Sequence, residues 1–185
     1  MKLFTSSIIA AAAASLVQAC TINIRVARDS TVAYNGIMCD NNIPCNSIPF
    51  GLKNDLLTFK GNRDYERVLL GFDLPTTKPI SKCLLKIPTP IEVATTGEYT
   101  LTATVTDNKW NETAVTGANK DIGGTQIGSV NIVAGQKPGS IDVTSACKNA
   151  KDDKLSLFVD TSFPMVRFNS IQSGSPAIFS LDITY

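Results

Sequence analysis

Two stretches of strict alternation constrain this chain more than anything else in it. In Tyr99-Thr100-Leu101-Thr102-Ala103-Thr104-Val105 the apolar residues take every second place and threonines fill the rest. Phe179-Ser180-Leu181-Asp182-Ile183-Thr184-Tyr185 repeats the pattern at the chain's end. A helix turning every 3.6 residues would scatter such a pattern around its surface. An extended strand gathers it into one dry face and one wet face. Strands of this kind must cover their apolar face with something else, and a second sheet is the common answer.

The rest of the sequence supplies that partner. Short runs rich in β-branched and aromatic residues recur between Gly, Pro, Asn, Asp and Ser. They mark candidate strands at Thr21–Val26, Ser30–Tyr34, Leu56–Lys60, Arg67–Leu74, Lys82–Pro88, Tyr99–Val105, Ser129–Val133, Gly139–Val143, Leu155–Val159, Met165–Asn169 and Ala177–Tyr185. The segment Ser145–Lys154 has room for one helical turn. No repeat, linker or low-complexity tract divides the chain. The expectation is an all-β, antiparallel sandwich of jelly-roll type, forming one domain over residues 20–185.

The first residues are set apart. Lys2, the apolar run from Ile8 to Val17 and the small-residue site Val17-Gln18-Ala19 read as a secretory leader over residues 1–19. The apolar run is short for a membrane span. Val17-Gln18-Ala19-Cys20 also resembles a bacterial lipoprotein box, in which Cys20 would carry lipid; otherwise no membrane partner is expected. The sequon Asn111-Glu112-Thr113 fits a eukaryotic secretory route and makes Asn111 the expected glycosylation site. Without Lys2 the chain carries 16 basic (17 − 1) and 16 acidic residues. That balance gives no electrostatic footprint for nucleic acid.

Export makes disulfides the default state of the cysteines. Five are present, so one is left over, and spacing alone does not fix connectivity. The pairing expected is Cys39–Cys45 across the loop CDNNIPC and Cys83–Cys147 between distant strands, with Cys20 free or lipidated. The chain has no histidine. Serine and cysteine nucleophile systems that rely on it are excluded in their usual forms, and a structural zinc site is not expected. Asp64 and Glu66 are spaced to share a strand face, yet Arg63 and Arg67 stand beside them as salt partners. No catalytic residue is expected. Asp152, Asp153 and Asn149, and Asp107 with Asn108, offer oxygens suited to calcium, although such residues commonly just solvate or cap a turn. No other cofactor is indicated.

The ordered motifs carry a resemblance. Arg67-Val68-Leu69-Leu70-Gly71-Phe72-Asp73-Leu74-Pro75 is followed by Ile80–Ile87 and by Lys109-Trp110-Asn111-Glu112-Thr113-Ala114-Val115-Thr116. Ile141-Asp142-Val143-Thr144, Arg167-Phe168-Asn169-Ser170 and Ser175-Pro176-Ala177-Ile178 come later. From Asp29 to Tyr185 this order resembles the DNRLRE-type β-sandwich domains, also classed as carbohydrate-binding module family 96. The chain departs from that pattern at Cys83, in the lack of a second tryptophan, and in the Cys39–Cys45 insert. The resemblance implies a secreted, non-catalytic module that recognises polysaccharide at a cell wall or in an extracellular matrix. A structural wall protein, or a small secreted protein binding a protein partner, remains the competing reading.

Within that frame, sugar contacts need planar stacking surfaces and forked donors. Arg63 with Tyr65, on one side of an extended Asn62–Glu66, and Tyr34, Arg25 and Arg167 are the candidates. Trp110 is expected to be buried with its N–H satisfied. Arg67 is expected to tie two strands together through a carboxylate such as Asp142.

Overall fold

The structure is a computed structural model that describes residues 19–34, 38–39, 42–61, 64–75, 79–161 and 164–185. Apart from Ala19, the leader lies outside the described residues. Twelve strands form among them: β1 (Thr21–Arg25), β2 (Arg28–Ala33), β3 (Asp55–Lys60), β4 (Tyr65–Asp73), β5 (Lys82–Lys86), β6 (Glu92–Val93), β7 (Glu98–Thr106), β8 (Thr125–Val133), β9 (Ser140–Asp142), β10 (Lys154–Thr161), β11 (Val166–Asn169) and β12 (Ser180–Thr184).

The alternating segments behave as their period demands. In β7, Tyr99, Leu101 and Ala103 are buried while Thr100, Thr102 and Thr104 are only half-buried. In β12, Leu181 and Ile183 are fully buried between half-buried polar neighbours.

One sheet has the order β1-β12-β5-β9, and the other contains β4-β10-β7-β8, all pairs antiparallel. Taking these eight strands in chain order as first to eighth, the sheets read 1-8-3-6 and 2-7-4-5. First pairs with eighth, second with seventh, third with sixth and fourth with fifth. That nested pairing is the winding of a jelly roll. The larger sheet continues past β4 through β3 and β11 to β6, and β2 also pairs along β4. Between the two layers lie Phe72, Leu85, Leu101, Leu157, Phe168, Phe179, Leu181 and Ile183, each at most 2% exposed.

A second, smaller core answers why Val68-Leu69-Leu70 is apolar without a break. Val68 and Leu70 join the main core, but Leu69 belongs to a separate cluster with Val32, Trp110, Val115 and Phe158. In β10, likewise, Leu157 and Val159 face the main core while Phe158 faces the second. Strands buried on both faces lose the alternation that a half-wet strand needs. The cover over the outer face is the loop between β7 and β8, which brings Trp110 and Val115 onto Leu69, Phe158 and Val32 of the neighbouring β2.

Glycines mark how closely that cover lies. A Cβ on Gly71 of β4 would come within 2.5 Å of the Arg28 side chain and 3.0 Å of Trp110. A Cβ on Gly117 would strike the Ala33 carbonyl. Larger residues at either position would lift the loop from the sheet.

Three details depart from the sequence reading. β8 begins at Thr125 rather than Ser129, since pairing with β7 continues past an irregularity at Ala103/Thr104. Gln126 and Gly128 gave no β signal of their own. β6 was not expected: it is two residues pinned by Val166↔Val93 and Arg167↔Glu92. The helical turn is α1 (Thr144–Lys148), shorter than the segment Ser145–Lys154, and Asp152 and Asp153 then turn the chain into β10 with φ of 55° and 54°. Disulfides join Cys39 to Cys45 and Cys83 to Cys147, and Cys20 is free and exposed. The second bond ties β5 to α1.

Candidate functional site

Arg67 leads β4 into the sheet with its side chain on the outer face, beside Tyr65 and Leu69. The β4–β10 register sets Phe158 against Leu69 and Val159 against Val68, so Asp160 falls opposite Arg67. The guanidinium donates from Nε to Asp160 Oδ1 at 2.5 Å and from Nη2 to Oδ2 at 2.6 Å, a bidentate fork. Nη1 donates to the Ile122 carbonyl at 2.6 Å, and the guanidinium stacks 3.9 Å from the Phe158 ring centroid. Arg67 is 3% exposed. The expectation that it pairs with Asp142 is therefore corrected: Asp142 lies on β9, in the other sheet. Its Oδ1 accepts the Thr144 N–H and starts α1. Bonds from Thr144 hold its carboxyl below the usual range. Nor does Arg67 serve Asp64 or Glu66 as salt partner.

Tyr34 and Tyr65 meet at this cluster, their ring centroids 6.0 Å apart. The Tyr65 hydroxyl donates to Asp160 Oδ1 at 3.2 Å, and burial, reinforced by the Asp160 charge, pushes its pKa up to about 12. The Tyr34 hydroxyl reaches the Asp121 carbonyl at 3.4 Å, and burial drives its pKa upward as well. Both phenols are thus turned into the protein's own network. A sugar would have to compete with those bonds, so this pair forms a structural clamp under the 121–124 segment. Arg63, the intended companion of Tyr65, lies outside the described residues.

The other candidate arginines are elsewhere. Arg25 sits on β1 of the smaller sheet and reaches the Ser175 carbonyl at 3.3 Å. Arg167 on β11 bridges Asp55 at 2.5 Å and Glu92 at 3.0 Å, which raises its pKa further. Of the four described candidates, Tyr34 and Tyr65 adjoin each other, while Arg25 and Arg167 stand on other strands. Trp110 is buried with Nε1–H donating to Ser156 Oγ at 2.9 Å, and Arg28 covers its face at 4.2 Å. Asn111 beside it is exposed, with Oδ1 accepting both the N–H and the hydroxyl of Thr113.

A concave surface lies on the far side of the 121–124 segment, at one end of the sandwich. It encloses about 830 Å³, within the range of small-ligand sites. Val105, Ile127, Ala146 and Leu155 give it an aliphatic lining drawn from β7, β8, α1 and β10. Polar side chains include Thr125, Ser145, Asn149 and Asp152, with Asp107 and Asn108 at the end of β7. The lysines 109, 151 and 154 and the aspartates 107, 121 and 152 bring equal numbers of each charge. Asp107 is engaged from behind by buried Lys120 at 2.6 Å, and that bond holds its pKa low. Asn108 donates to the Lys154 carbonyl at 2.9 Å and ties the lining to the β10 turn.

Of the residues considered for calcium, Asp107, Asn108, Asn149 and Asp152 line this cavity from several elements, and Asp153 does not. Among the described residues no group of three or more Asp, Glu or Cys side chains converges as metal ligands. Asp64 and Glu66 stand apart from the cavity. Burial, then the Asp64 charge, lifts the Glu66 pKa against the pull of Arg167.

Sequence reasoning missed both Asp160 and the cavity. In sequence Asp160 is only the acid that directly follows the Leu155–Val159 run, which does not say what it pairs with. The cavity was not legible either, because its lining comes from segments that only the jelly-roll winding brings together.

Residues 41–179, 139 of the 185 (179 − 41 + 1), match carbohydrate-binding module family 96. An uncharacterized secreted protein of Arthroderma benhamiae is 31% identical over 160 residues, covering 82% of this chain and 80% of the relative. No helix among the described residues is long and apolar enough to cross a membrane. With its jelly-roll winding and most of its length matched, the chain belongs to carbohydrate-binding module family 96.

Proposed function

We propose that this protein is a secreted, non-catalytic module that binds glycan in the cavity at the end of the sandwich, acting at a cell wall or in an extracellular matrix. The observation that carries this reading is a concave, aliphatic-floored cavity with uncommitted polar side chains, on a fold whose family is one of carbohydrate binding. Pyranose rings have apolar faces and hydroxylated edges. A floor of Val105, Ile127 and Leu155 with Thr125 and Asn149 nearby answers both halves of that chemistry. The similarity to a secreted fungal protein supports export, with residues 1–19 as the leader. Affinity should be modest, with Kd about 1 mM to 1 μM, or roughly −4 to −8 kcal/mol, because hydrogen bonds to sugar replace hydrogen bonds to water.

Screening the purified chain on a glycan array and in pull-downs with wall polymers tests this directly. Retention of an intact glycan, with no product released on long incubation, is the expected result. Release of shortened sugars would refute the non-catalytic reading, and binding to no glycan would favour a protein partner or a structural role.

A further inference from the structure

Asp29 is a fully buried carboxyl on β2, and three parts of the chain meet at it. Opposite it in the β2–β4 pair stands Leu70. Its Oδ2 accepts the Ile171 N–H at 2.9 Å, from the turn Ile171–Ser173 that follows β11. Its own N–H donates to Glu112 Oε1 at 2.8 Å, and Glu112 stands in the loop between β7 and β8. That loop lies close here: a Cβ on Gly51 would strike the Glu112 carbonyl. One buried residue thus pins the cover from beneath and sets an ionisable group beside the Glu112 carboxylate.

The other charges around Asp29 are engaged elsewhere or face water. Arg28, its neighbour on β2, donates to the carbonyls of Trp110 at 2.6 Å and Asn108 at 3.2 Å. Lys53, whose carbonyl accepts the Ser170 hydroxyl, is exposed. Asp55, at the start of β3, is paired with Arg167 at 2.5 Å. The turn Ile171–Ser173 carries no charged side chain. Glu112 is therefore the charge that an ionised Asp29 meets. Burial, partly offset by the Ile171 N–H and reinforced by the Glu112 charge, lifts the Asp29 pKa from 3.8 to about 7. A group so raised is neutral in acid, and whatever its ionisation disturbs is intact there and lost as the pH rises through about 7.

We propose that Asp29 is a pH-sensitive latch on the cover: its protonated carboxyl lets Glu112 sit on the Asp29 N–H, and loss of that proton drives Glu112 off and loosens the middle of the loop. Two carboxylates side by side in a site with little water repel strongly. Glu112, being half-buried, is the one with a way out to solvent. The ends of the loop keep their anchors, since Lys120 holds Asp107 at 2.6 Å and Arg67 holds the Ile122 carbonyl at 2.6 Å. The release is therefore local. Asp107, Asn108 and Lys109 from one end of this loop, and Asp121 and Gly123 from the other, line the cavity, so the latch reaches that wall whatever the cavity binds.

Trp110, the chain's one tryptophan, sits two residues before Glu112 and reports on this loop. The test is acrylamide quenching of its fluorescence in the whole processed chain between about pH 5 and 9, followed alongside far-ultraviolet circular dichroism. The quenching constant should rise about twofold or more, with a midpoint near pH 7, while the dichroism stays constant. Asp29→Asn, which cannot ionise, should hold the acid-side value throughout. Glu112→Gln, which keeps the acceptor and loses the charge, should move the midpoint to lower pH and shrink the rise. Flat quenching in the wild-type chain, a rise that persists in Asp29→Asn, or a rise accompanied by loss of dichroism would each overturn the latch. Should Asp29→Asn fail to fold, Glu112→Gln decides alone, and an unshifted midpoint overturns the proposal.

Discussion

Replacing Arg67 with methionine strips one partner from an ion pair that water scarcely reaches, Arg67 being 3% and Asp160 7% exposed. The Asp160 carboxylate would keep only the Tyr65 hydroxyl at 3.2 Å among its side-chain partners, in place of two guanidinium bonds at 2.5 and 2.6 Å. The Ile122 carbonyl would also lose its donor, and the Phe158 ring its cation. Breaking a buried pair from one side costs about 3–5 kcal/mol, because the remaining charge is stranded. Removing both sides is different: two apolar groups of similar volume leave no charge behind, and such replacements are near neutral or stabilising. Arg67→Met, Asp160→Leu and the double variant therefore form a cycle. Each single change should lower the unfolding free energy in urea by about 3–5 kcal/mol, while the double change costs less than either, with a common m-value. The single-variant cost should be nearly the same at low and high salt, since buried charges are weakly screened. A loss below about 1 kcal/mol for Arg67→Met, or additive single and double costs, would show that the pair is solvated and that the arginine has another task.

The other expectations concern single groups. Asp29 is fully buried, with Oδ2 accepting the Ile171 N–H and Oδ1 without a partner, and burial lifts its pKa from 3.8 to about 7. A raised folded-state value stabilises most at low pH. Its contribution is fully present below about pH 4 and is lost as the pH rises through 7, by at most about 4 kcal/mol. Asp29→Asn should flatten that slope in unfolding curves taken across pH 4–8; an unchanged slope would place its origin elsewhere. Breaking Cys83–Cys147, with 64 residues of separation, should cost about 4 kcal/mol, against about 2 for Cys39–Cys45 with 6, measured on paired alanine variants. Equal costs would mean that loop length is not what these bonds constrain. Expression through a eukaryotic secretory route should load exposed Asn111 with a glycan that an N-glycan amidase removes and Asn111→Gln lacks; masses of the two proteins that differ only by the added methylene of glutamine would rule that out.

What the sequence could show followed from how local each signal was. Alternation in β7 and β12 is a property of seven consecutive residues, and the winding of the sheets followed from many such strands needing cover. Burial of Trp110 was legible for the same reason: an indole with a nearby acid and threonine has a polar tip to satisfy and a ring to hide. The partner of Arg67 was not legible. Asp142 and Asp160 both sit in strand-like runs, and only register distinguishes them. Asp160 ends up opposite Arg67 because Val68 and Val159 pair facing the main core, so the residue before Val68 and the residue after Val159 face outward together. The engagement of Tyr34 and Tyr65 within the protein was hidden for the same reason. Tyr65 was chosen as a platform because it shares a side with Arg63 if Asn62–Glu66 is extended. The loop between β7 and β8 covers that side with Trp110 and Val115, and although the burial of Trp110 was legible, the strands it covers were not. Once Leu69 and Phe158 are seen to need that cover, the argument reverses. A strand apolar at every position must be hidden on both faces, so its charged and aromatic entrance belongs to the cover's anchorage, and a ligand has to be sought where the cover ends.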